Sequence, residues 1–282
     1  MTRGLVPSIA AAATVVLSAS LLALFVLPIV ALAWTATPET FVRAVGDPQV
    51  RLSIGFTLYA SGAALGLSLL LGVPLGYLLA RRRFRGRAVV ESVVGLPVVV
   101  PHLVAGLALL FLFSPSTPVG ALFRWAGLPV FGTFLGVVLV MTYVSASYTV
   151  LASQLSFASV DDRVVEAARC LGATPHEAFA SVTFPLALRG IVAGAILTWA
   201  RSVSEIGGFL ILAYTVYPST GYPGPVTAPI SVYMYNLYQI GDLRGTAAVA
   251  SLFVLIAFAL FLSVRAIERS GRLPWAAGGL LR

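Results

Sequence analysis

The chain has 282 residues and a formal net charge of +8, yet only 10% of its residues are charged and 59% are hydrophobic. A soluble domain carries roughly 25% charged residues, so this composition excludes an ordinary soluble fold. Apolar runs of about 20 residues recur along the chain, which is the length a helix needs to cross a bilayer. The sequence therefore predicts an all-α polytopic bundle of membrane helices, and no basic face of a soluble domain indicates nucleic-acid binding.

The residue types exclude several kinds of chemistry. All 18 basic residues are arginines, whereas a P-loop needs a lysine to reach nucleotide phosphates and a Schiff-base enzyme needs a lysine amine. The single Cys170 excludes an intrachain disulfide and a cysteine-cluster metal site. We therefore expect no catalytic residue, no metal site and no cofactor on this chain, and any ATP hydrolysis has to take place on another polypeptide.

Six apolar segments predict six transmembrane helices, over residues 8–34, 53–80, 89–113, 132–156, 190–213 and 245–265. The first segment ends in small residues like those of a signal-peptide cleavage site, but it is far longer than the usual apolar region of about 7–15 residues. We predict that it is retained as a helix. Pro97 and Pro101 should break the third span, because proline lacks the backbone N–H and its ring clashes with the preceding turn.

The arginines predict the orientation. Thirteen lie in the termini and in the connections 81–87 and 157–189, and only four lie on the opposite side of this layout. Because cytoplasmic segments carry the excess of arginine and lysine, both termini are predicted to be cytoplasmic and the chain to be a multi-pass protein of the cell membrane. The chain then divides into an N-terminal helix and external loop (1–48), a core (49–268) and a cytoplasmic tail (269–282).

The predicted outer segment 214–243 is rich in tyrosine, proline and glycine. Tyrosines at this depth are typical of an aromatic belt at the lipid headgroups. The alternative is a short re-entrant or gating element with a docking surface for an external partner, since irregular backbone at membrane depth is tolerated where protein or water covers it. Both readings stay open.

The cytoplasmic connection between the fourth and fifth spans has the pattern of a helical hairpin. Ser159, followed by Asp162, predicts a capped helix start, and Gly172 predicts its left-handed end. Thr174 with Glu177 predicts a second capping box immediately afterwards. Small and apolar side chains near the turn would let a neighbouring surface approach closely, so a docking hairpin and a plain hairpin without a partner both remain possible.

This hairpin carries a family resemblance. The run Glu166-Ala167-Ala168, Gly172 six residues after the glutamate, and the ending Val182-Thr183-Phe184-Pro185 resemble the EAA loop of the membrane subunits of binding-protein-dependent ABC importers. That pattern ends in Leu-Pro, and Phe184 takes the place of the leucine here. The resemblance extends over roughly residues 50–265 and implies the ABC-importer permease fold, with six helices per subunit.

The resemblance also implies partners. In this family the loop docks in a cleft of a separate ATPase subunit, so we expect two copies of an ABC ATPase, an external substrate-binding protein and a second permease subunit, forming a homodimer. The residues expected to couple the chain to the ATPase are Glu166, Ala167, Ala168, Leu171, Gly172 and Pro185.

Three further stretches narrow the expected cargo. They are "GLPVVVPHLVAGLALLFLF" (95–113), "ILTWARSVSEIGGFLILA" (196–213) and "YNLYQIGDLRGTAAVAS" (235–251), and they are similar to segments of permeases for molybdate, tungstate and sulfate. His102 replaces the second proline of the first segment, and Ser204 and Ile206 replace a glycine and a phenylalanine of the second. The resemblance implies an oxyanion as cargo, with molybdate or tungstate expected and sulfate as the alternative.

Arg201 and Glu205 are charges within the predicted fifth span, where each costs roughly 2.5–3.5 kcal/mol on insertion scales. Four residues apart on one helix, they could form a buried ion pair that braces the bundle. Alternatively, Arg201 faces the pathway and attracts the anion, with the hydroxyls of Ser202 and Ser204 as additional donors. The sequence leaves both possibilities open.

Two other classes of protein are less well supported by the residues. A stand-alone proton-coupled transporter needs an ionisable relay in its spans, for which His102 beside Pro101 is a candidate, although a polar residue at a helix bend is more often structural. An intramembrane hydrolase needs a nucleophile motif, and the serines of this chain form no recognisable one.

Overall fold

The computed structural model describes residues 5–269, which fold into thirteen α-helices and one π-helical turn. Two isolated bridges, Val216 with Thr227 and Ser219 with Tyr222, are the extent of β-pairing in this range. The predicted tail beyond Arg269 lies outside the described residues. The helices are α1 Leu5–Thr35, α2 Pro38–Gly46, α3 Pro48–Arg81, α4 Arg87–Val99, α5 His102–Phe113, α6 Pro118–Trp125, α7 Phe134–Ala158, α8 Asp162–Cys170, α9 Pro175–Ala178, α10 Phe184–Val203, α11 Gly207–Leu212, α12 Ile230–Gln239 and α13 Leu243–Arg269.

Five helical segments of the described chain are long and apolar enough to cross a membrane, namely Ala11–Thr35, Pro48–Arg81, Phe134–Ala158, Pro175–Val203 and Leu243–Ser263. The α4–α5 pair passes the same test as a bent unit, which raises the number to six. The predicted all-α membrane bundle is confirmed, and four of the six predicted spans match continuous helices.

The predicted third span is broken. α4 and α5 meet at 116° across residues 100 and 101, and Pro101 is the N-cap of α5. Pro97 lies inside α4 without ending it. The break at Pro101 is as predicted, because proline lacks the backbone N–H and its ring clashes with the preceding turn. The large angle divides the apolar run into two separate helices.

The prediction of one continuous helix over residues 190–213 is wrong. α9, a π-helical turn over Phe179–Thr183 and α10 form one rod that ends at Val203, and α11 starts afresh at Gly207. Glycine is a poor helix former, and three residues separate the end of the rod at Val203 from Gly207-Gly208. Arg201 and Glu205 therefore do not share one helix, because Glu205 lies in the break.

The described residues group into two compact units. One contains 5–51 and 234–262, and the other contains 52–233 and 263–269. In the first unit, α1 has no buried side chain between residues 11 and 35. The second unit holds all the candidate coupling and pathway residues.

Two apolar clusters form the interior of the second unit. The larger one packs α3, α5, α7 and α11 around fully buried Met141 and Phe209. The smaller one contains Phe157, Val160, Ala187 and Ile191, contributed by the end of α7 and by α10, with Tyr77 of α3 packed against it. α7 runs through both clusters and is the central helix of the unit.

Glycines let two helices approach α7 closely. A Cβ atom on Gly76 of α3 would lie 2.6 Å from the Cβ of Ser153, and one on Gly194 of α10 would lie 2.3 Å from the Cβ of Ala152. These distances leave no room for a larger side chain. Close packing through small residues is the usual way for membrane helices to associate, because lipid supplies no hydrophobic driving force between them.

Candidate functional site

The hairpin predicted after the fourth span is present, with its first cap two residues later than expected. Asp161 caps α8 by accepting a hydrogen bond from the Arg163 N–H at 2.9 Å. Ser159 instead ends α7, and its hydroxyl donates to the Ser156 carbonyl. The difference arises because α7 continues to Ala158, which leaves Ser159 as its last cap.

The turn of the hairpin follows the sequence pattern closely. Gly172 has a φ of +97°, the left-handed conformation that favours glycine. The Gly172 N–H bonds the Arg169 carbonyl and the Ala173 N–H bonds the Ala168 carbonyl, which is the paired arrangement of a Schellman motif. Thr174 and Glu177 then form a complete capping box at the start of α9.

The base of the hairpin is tied to α3. The Arg81 guanidinium forms an ion pair with Asp162 and also donates to the Val160 carbonyl at 3.0 Å. The Tyr77 ring packs edge-on against Phe157 and Phe179, each at 5.1 Å between ring centroids. These contacts hold both ends of the hairpin against α3.

The second arm of the hairpin and the fifth span are one rod. Pro185 has no N–H to donate to the residue four positions earlier, and the Phe184 N–H bonds the Phe179 carbonyl five positions earlier. The π-helical turn absorbs this irregularity without ending the helix. α9, the π-helical turn and α10 are therefore continuous.

The outer face of the hairpin is open. No residue of α8 is buried, and Leu171 next to the turn is 90% exposed. Val164, Ala168 and Leu171 are spaced at helical intervals and form an apolar stripe along one side. Glu166, Ala167, Gly172 and Pro185 are also exposed. Five of the six predicted coupling residues are thus exposed, and Ala168 is partly buried.

The two charges of the fifth span form part of a cluster. The Glu205 side chain is fully buried, and its Oε2 lies 3.2 Å from Nη1 of Arg201. Its Oε1 accepts a hydrogen bond from the Gly208 N–H at 2.7 Å. The carboxylate therefore spans the break between α10 and α11 and satisfies the first turn of α11.

His102 completes this cluster. Its Nδ1 lies 3.2 Å from Oε2 of Glu205, and its Nε2 lies 2.6 Å from Nη2 of Arg201. Because His102 is the first residue of α5, the cluster joins the two interrupted spans at their breaks. Sequence reasoning treated this histidine as a separate residue, since only its position beside Pro101 was informative.

Three glycines bring the two breaks together. A Cβ on Gly207 would lie 2.6 Å from the Cβ of His102, and a Cβ on Gly106 would lie 2.8 Å from the Cα of Gly208. Any larger side chain would push α5 away from α11. Sequence reasoning missed this contact, although the Gly-Gly pair directly after Glu205 and Ile206 was a signal for it.

The two candidate serines differ in their surroundings. Ser202 is fully buried and donates to the Trp199 carbonyl at 2.8 Å. Ser204 is exposed and donates to the Arg201 carbonyl at 3.0 Å. Both hydroxyl hydrogens are used within the helix, so in this structure the donors facing an anion would come from Arg201.

Comparison with known sequences identifies relatives along most of the chain. Residues 72–272 match the family described as binding-protein-dependent transport system inner membrane component. The molybdate/tungstate transport system permease protein WtpB of Thermococcus kodakarensis is 35% identical over 227 residues, which cover 80% of this chain and 82% of that protein. The molybdenum transport system permease protein ModB of Mycobacterium tuberculosis is 32% identical over 242 residues, covering 85% and 88%. A probable sulfate transport system permease protein, cysT of Zygnema circumcarinatum, is 29% identical over 228 residues, covering 81% and 77%.

Solved structures show the same fold. A bacterial alginate ABC transporter in complex with its pentasaccharide-bound periplasmic protein contains a chain that is 22% identical with a TM-score of 0.64, covering 90% of this chain and 94% of that chain. The inward-facing MetNI methionine ABC transporter gives 18% identity and a TM-score of 0.58, covering 79% and 95%. The chain is thus a multi-pass membrane protein with the ABC-importer permease fold, and it belongs to the family of binding-protein-dependent transport system inner membrane components.

Proposed function

We propose that this chain is the membrane-spanning subunit of an ATP-driven importer that translocates molybdate or tungstate delivered by an external binding protein. The observation that carries the proposal is the hairpin, whose first arm carries an open apolar stripe and whose second arm is continuous with the helix of the fifth span. The relatives named for molybdate, tungstate and molybdenum transport support the choice of cargo.

In this proposal the hairpin docks into a cleft of a separate ATPase subunit. Leu171, Ala168 and Ala167 make the close contact, Glu166 orients the hairpin, and Gly172 shapes the turn. Pro185 marks the junction through which the rod transmits motion from α9 to α10. ATP binding and hydrolysis take place on two copies of the ATPase, so the chain has no catalytic role of its own.

The assembly follows from the same proposal. Six spans provide half of a pathway, so the chain pairs with a second copy of itself. Residues 49–268 form the core of each subunit, and the coupling loop lies within it at 157–189. Both termini and the hairpin lie on the cytoplasmic side, as the arginine distribution indicates. The external binding protein engages the opposite side.

We further propose that Arg201, with Ser202, Ser204 and Glu205 around it, lies along the pathway. Arg201 supplies positive potential to a tetrahedral dianion, while Glu205 offsets part of its charge. A partly neutralised arginine attracts an anion without holding it tightly, which suits a conduit that has to release its cargo.

Sulfate is the alternative cargo, because a sulfate permease is also among the relatives. Molybdate, tungstate and sulfate share tetrahedral shape and charge, so the membrane subunit discriminates weakly between them and the binding protein decides. Uptake by proteoliposomes that contain the chain, its ATPase and its binding protein tests this directly. ATP-dependent uptake of labelled molybdate that excess tungstate suppresses and excess sulfate does not would support the proposed cargo, and the reverse pattern would support sulfate.

Docking of the hairpin is tested separately by co-purification of the ATPase. Leu171→Glu places a charge in the proposed contact, and we expect retained ATPase to fall by about tenfold, equivalent to about 1.4 kcal/mol. Ile240→Glu is the matched control, because Ile240 is also strongly exposed, at 78%, but lies on the predicted opposite side. Full retention of the ATPase by the Leu171→Glu chain would contradict the docking role.

A further inference from the structure

The contacts of His102 determine which of its ring nitrogens carries the proton. An arginine side chain has five N–H donors and no acceptor. The Nε2 atom of His102, 2.6 Å from Nη2 of Arg201, therefore has to accept. The proton then lies on Nδ1 and is donated to Oε2 of Glu205, 3.2 Å away. The ring is neutral and held as the Nδ1–H tautomer by partners on both sides.

This arrangement fixes the Arg201 guanidinium at two points. Nη1 donates to Glu205 and Nη2 donates to His102, which leaves three of its five N–H groups without a partner among the described residues. The Arg201 side chain is 16% exposed, so the guanidinium is not sealed inside the described chain.

The side chains of the cluster also link three helices, α5, α10 and α11, through hydrogen bonds. His102 begins α5, Arg201 lies at the end of α10, and Glu205 satisfies the Gly208 N–H at the start of α11. Without the His102 ring, Glu205 and Arg201 would still pair, but neither would be linked to α5 by a side-chain hydrogen bond. The histidine is therefore the component that connects the charged pair to the second helix break.

We propose that His102 is a positioning residue, which as the Nδ1–H tautomer links Glu205 to Arg201 and holds the guanidinium so that its three other N–H groups can bind a further group. The assignment of those donors to an oxyanion rests on the proposed function. The tautomer and the orientation of Arg201 do not, because they follow from the hydrogen bonds alone.

Three substitutions of His102 test the proposal by removing its contact with Arg201, its contact with Glu205, or both. The amide of His102→Gln reaches the position of Nε2 and can accept from Arg201, whereas the amide of His102→Asn reaches only the position of Nδ1 and can donate only to Glu205. His102→Pro removes both contacts and still suits the first position of α5. Its neighbour Pro101 already has the extended ψ of 138° that a following proline requires.

Transport by the reconstituted importer gives the first readout. We expect His102→Asn and His102→Pro to lower the molybdate translocated per ATP hydrolysed by about tenfold, equivalent to about 1.4 kcal/mol, and His102→Gln to retain at least half of it. The KM for molybdate should stay unchanged, because the binding protein captures the anion. Equal ratios for the Asn and Gln variants, or a wild-type ratio for the Pro variant, would overturn the proposal.

The second readout is independent of transport. The chain has two histidines, so ¹⁵N-histidine labelling of the purified full-length protein gives two ring systems, and His176→Gln identifies that of His102. We expect the Nδ1–H tautomer at neutral pH in the wild type and a relaxed mixture of tautomers in Arg201→Ala. An Nε2–H or doubly protonated ring in the wild type would overturn the proposal, even if molybdate uptake were normal. An Nδ1–H ring in a chain that does not transport molybdate would refute the proposed cargo alone.

Discussion

The hairpin and the charged cluster are both interruptions between long helices, but they are built in opposite ways. Every contact that shapes the hairpin turn lies between Asp161 and Glu177. The cluster instead joins His102 to Arg201, 99 positions away. The hairpin presents open apolar side chains, whereas the Glu205 carboxylate is fully buried and has a partner on each oxygen.

This difference indicates different tasks. A locally encoded element with an exposed face can project from the fold and meet a partner without disturbing what lies beneath it. A buried carboxylate with a partner on each oxygen holds backbone segments in place, and its loss affects folding. Substitutions in the hairpin should therefore impair assembly at little cost in stability, while substitutions in the cluster should lower stability and transport together.

The largest effect is expected for Glu205→Ala. The change leaves the Gly208 N–H, Arg201 and His102 without the carboxylate that they share. Removing one partner of a buried charge pair costs about 3–5 kcal/mol, so thermal unfolding in detergent should shift strongly downwards. Glu166→Ala in the exposed hairpin is the control and should leave the unfolding temperature unchanged. Equal unfolding temperatures for the two variants would remove the distinction between the regions.

Gly207→Ala should have the next largest effect. The added methyl would lie 2.6 Å from the Cβ of His102 and 3.0 Å from the Leu103 nitrogen. Overpacking of this kind costs about 1–3 kcal/mol, and it should separate α5 from α11. Gly95→Ala is the matched control, because nothing lies within 4 Å of its added Cβ and alanine favours the α4 helix. A Gly207→Ala chain as stable as Gly95→Ala would show that the two breaks do not need their close contact.

Gly172→Ala tests whether the hairpin turn can be disrupted without loss of global stability. Nothing lies within 4 Å of the added Cβ, so the cost comes from the φ of +97° alone and is about 1–2 kcal/mol. Because the turn is local, we expect the hairpin to lose its shape and the ATPase to co-purify less, with global unfolding nearly unaffected. Gly172→Asn should be milder, since asparagine tolerates the left-handed region. A fall in global stability as large as that of Gly207→Ala would place the turn within the core.

The smallest effect is expected for Thr174→Ala. It removes the hydroxyl that accepts the Glu177 N–H in the capping box, at a cost of about 1 kcal/mol. Hydrogen exchange in the α9 segment should become faster while the rest of the chain is unchanged. Thr174→Ser keeps the hydroxyl and should keep the protection. Unchanged exchange in Thr174→Ala would mean that Pro175 and the packing of Phe179 define the helix start without the cap.

Much of this architecture could be predicted from the sequence. The lengths of the apolar runs predicted the membrane helices, Pro101 predicted the broken third span, and the Gly172 and Thr174 patterns predicted the turn of the hairpin. Each of these features depends on residues close together in the chain. The first cap was placed at Ser159 rather than at Asp161, because local patterns cannot say where α7 ends when both residues can serve as caps.

The fifth span shows the limit of such reasoning. Its hydropathy indicates a continuous helix through Glu205, but the structure ends α10 at Val203 and starts α11 at Gly207. The Glu205 carboxylate stabilises the break by accepting from the Gly208 N–H, and α5 packs closely against the backbone of the two glycines. The packing of α5 depends on a helix about a hundred residues earlier, so no local pattern contains it.

The sequence by itself determined the membrane class, the number of apolar segments, the absence of lysine-based chemistry and the shape of the hairpin turn. Only the tertiary structure decided that the hairpin and the fifth span form one rod, that two spans are broken, and that His102, Arg201 and Glu205 meet at the breaks. The physical reason is the range of the forces involved. Caps and turns act over a few residues, whereas a buried carboxylate is satisfied by whichever donors the packed helices bring to it.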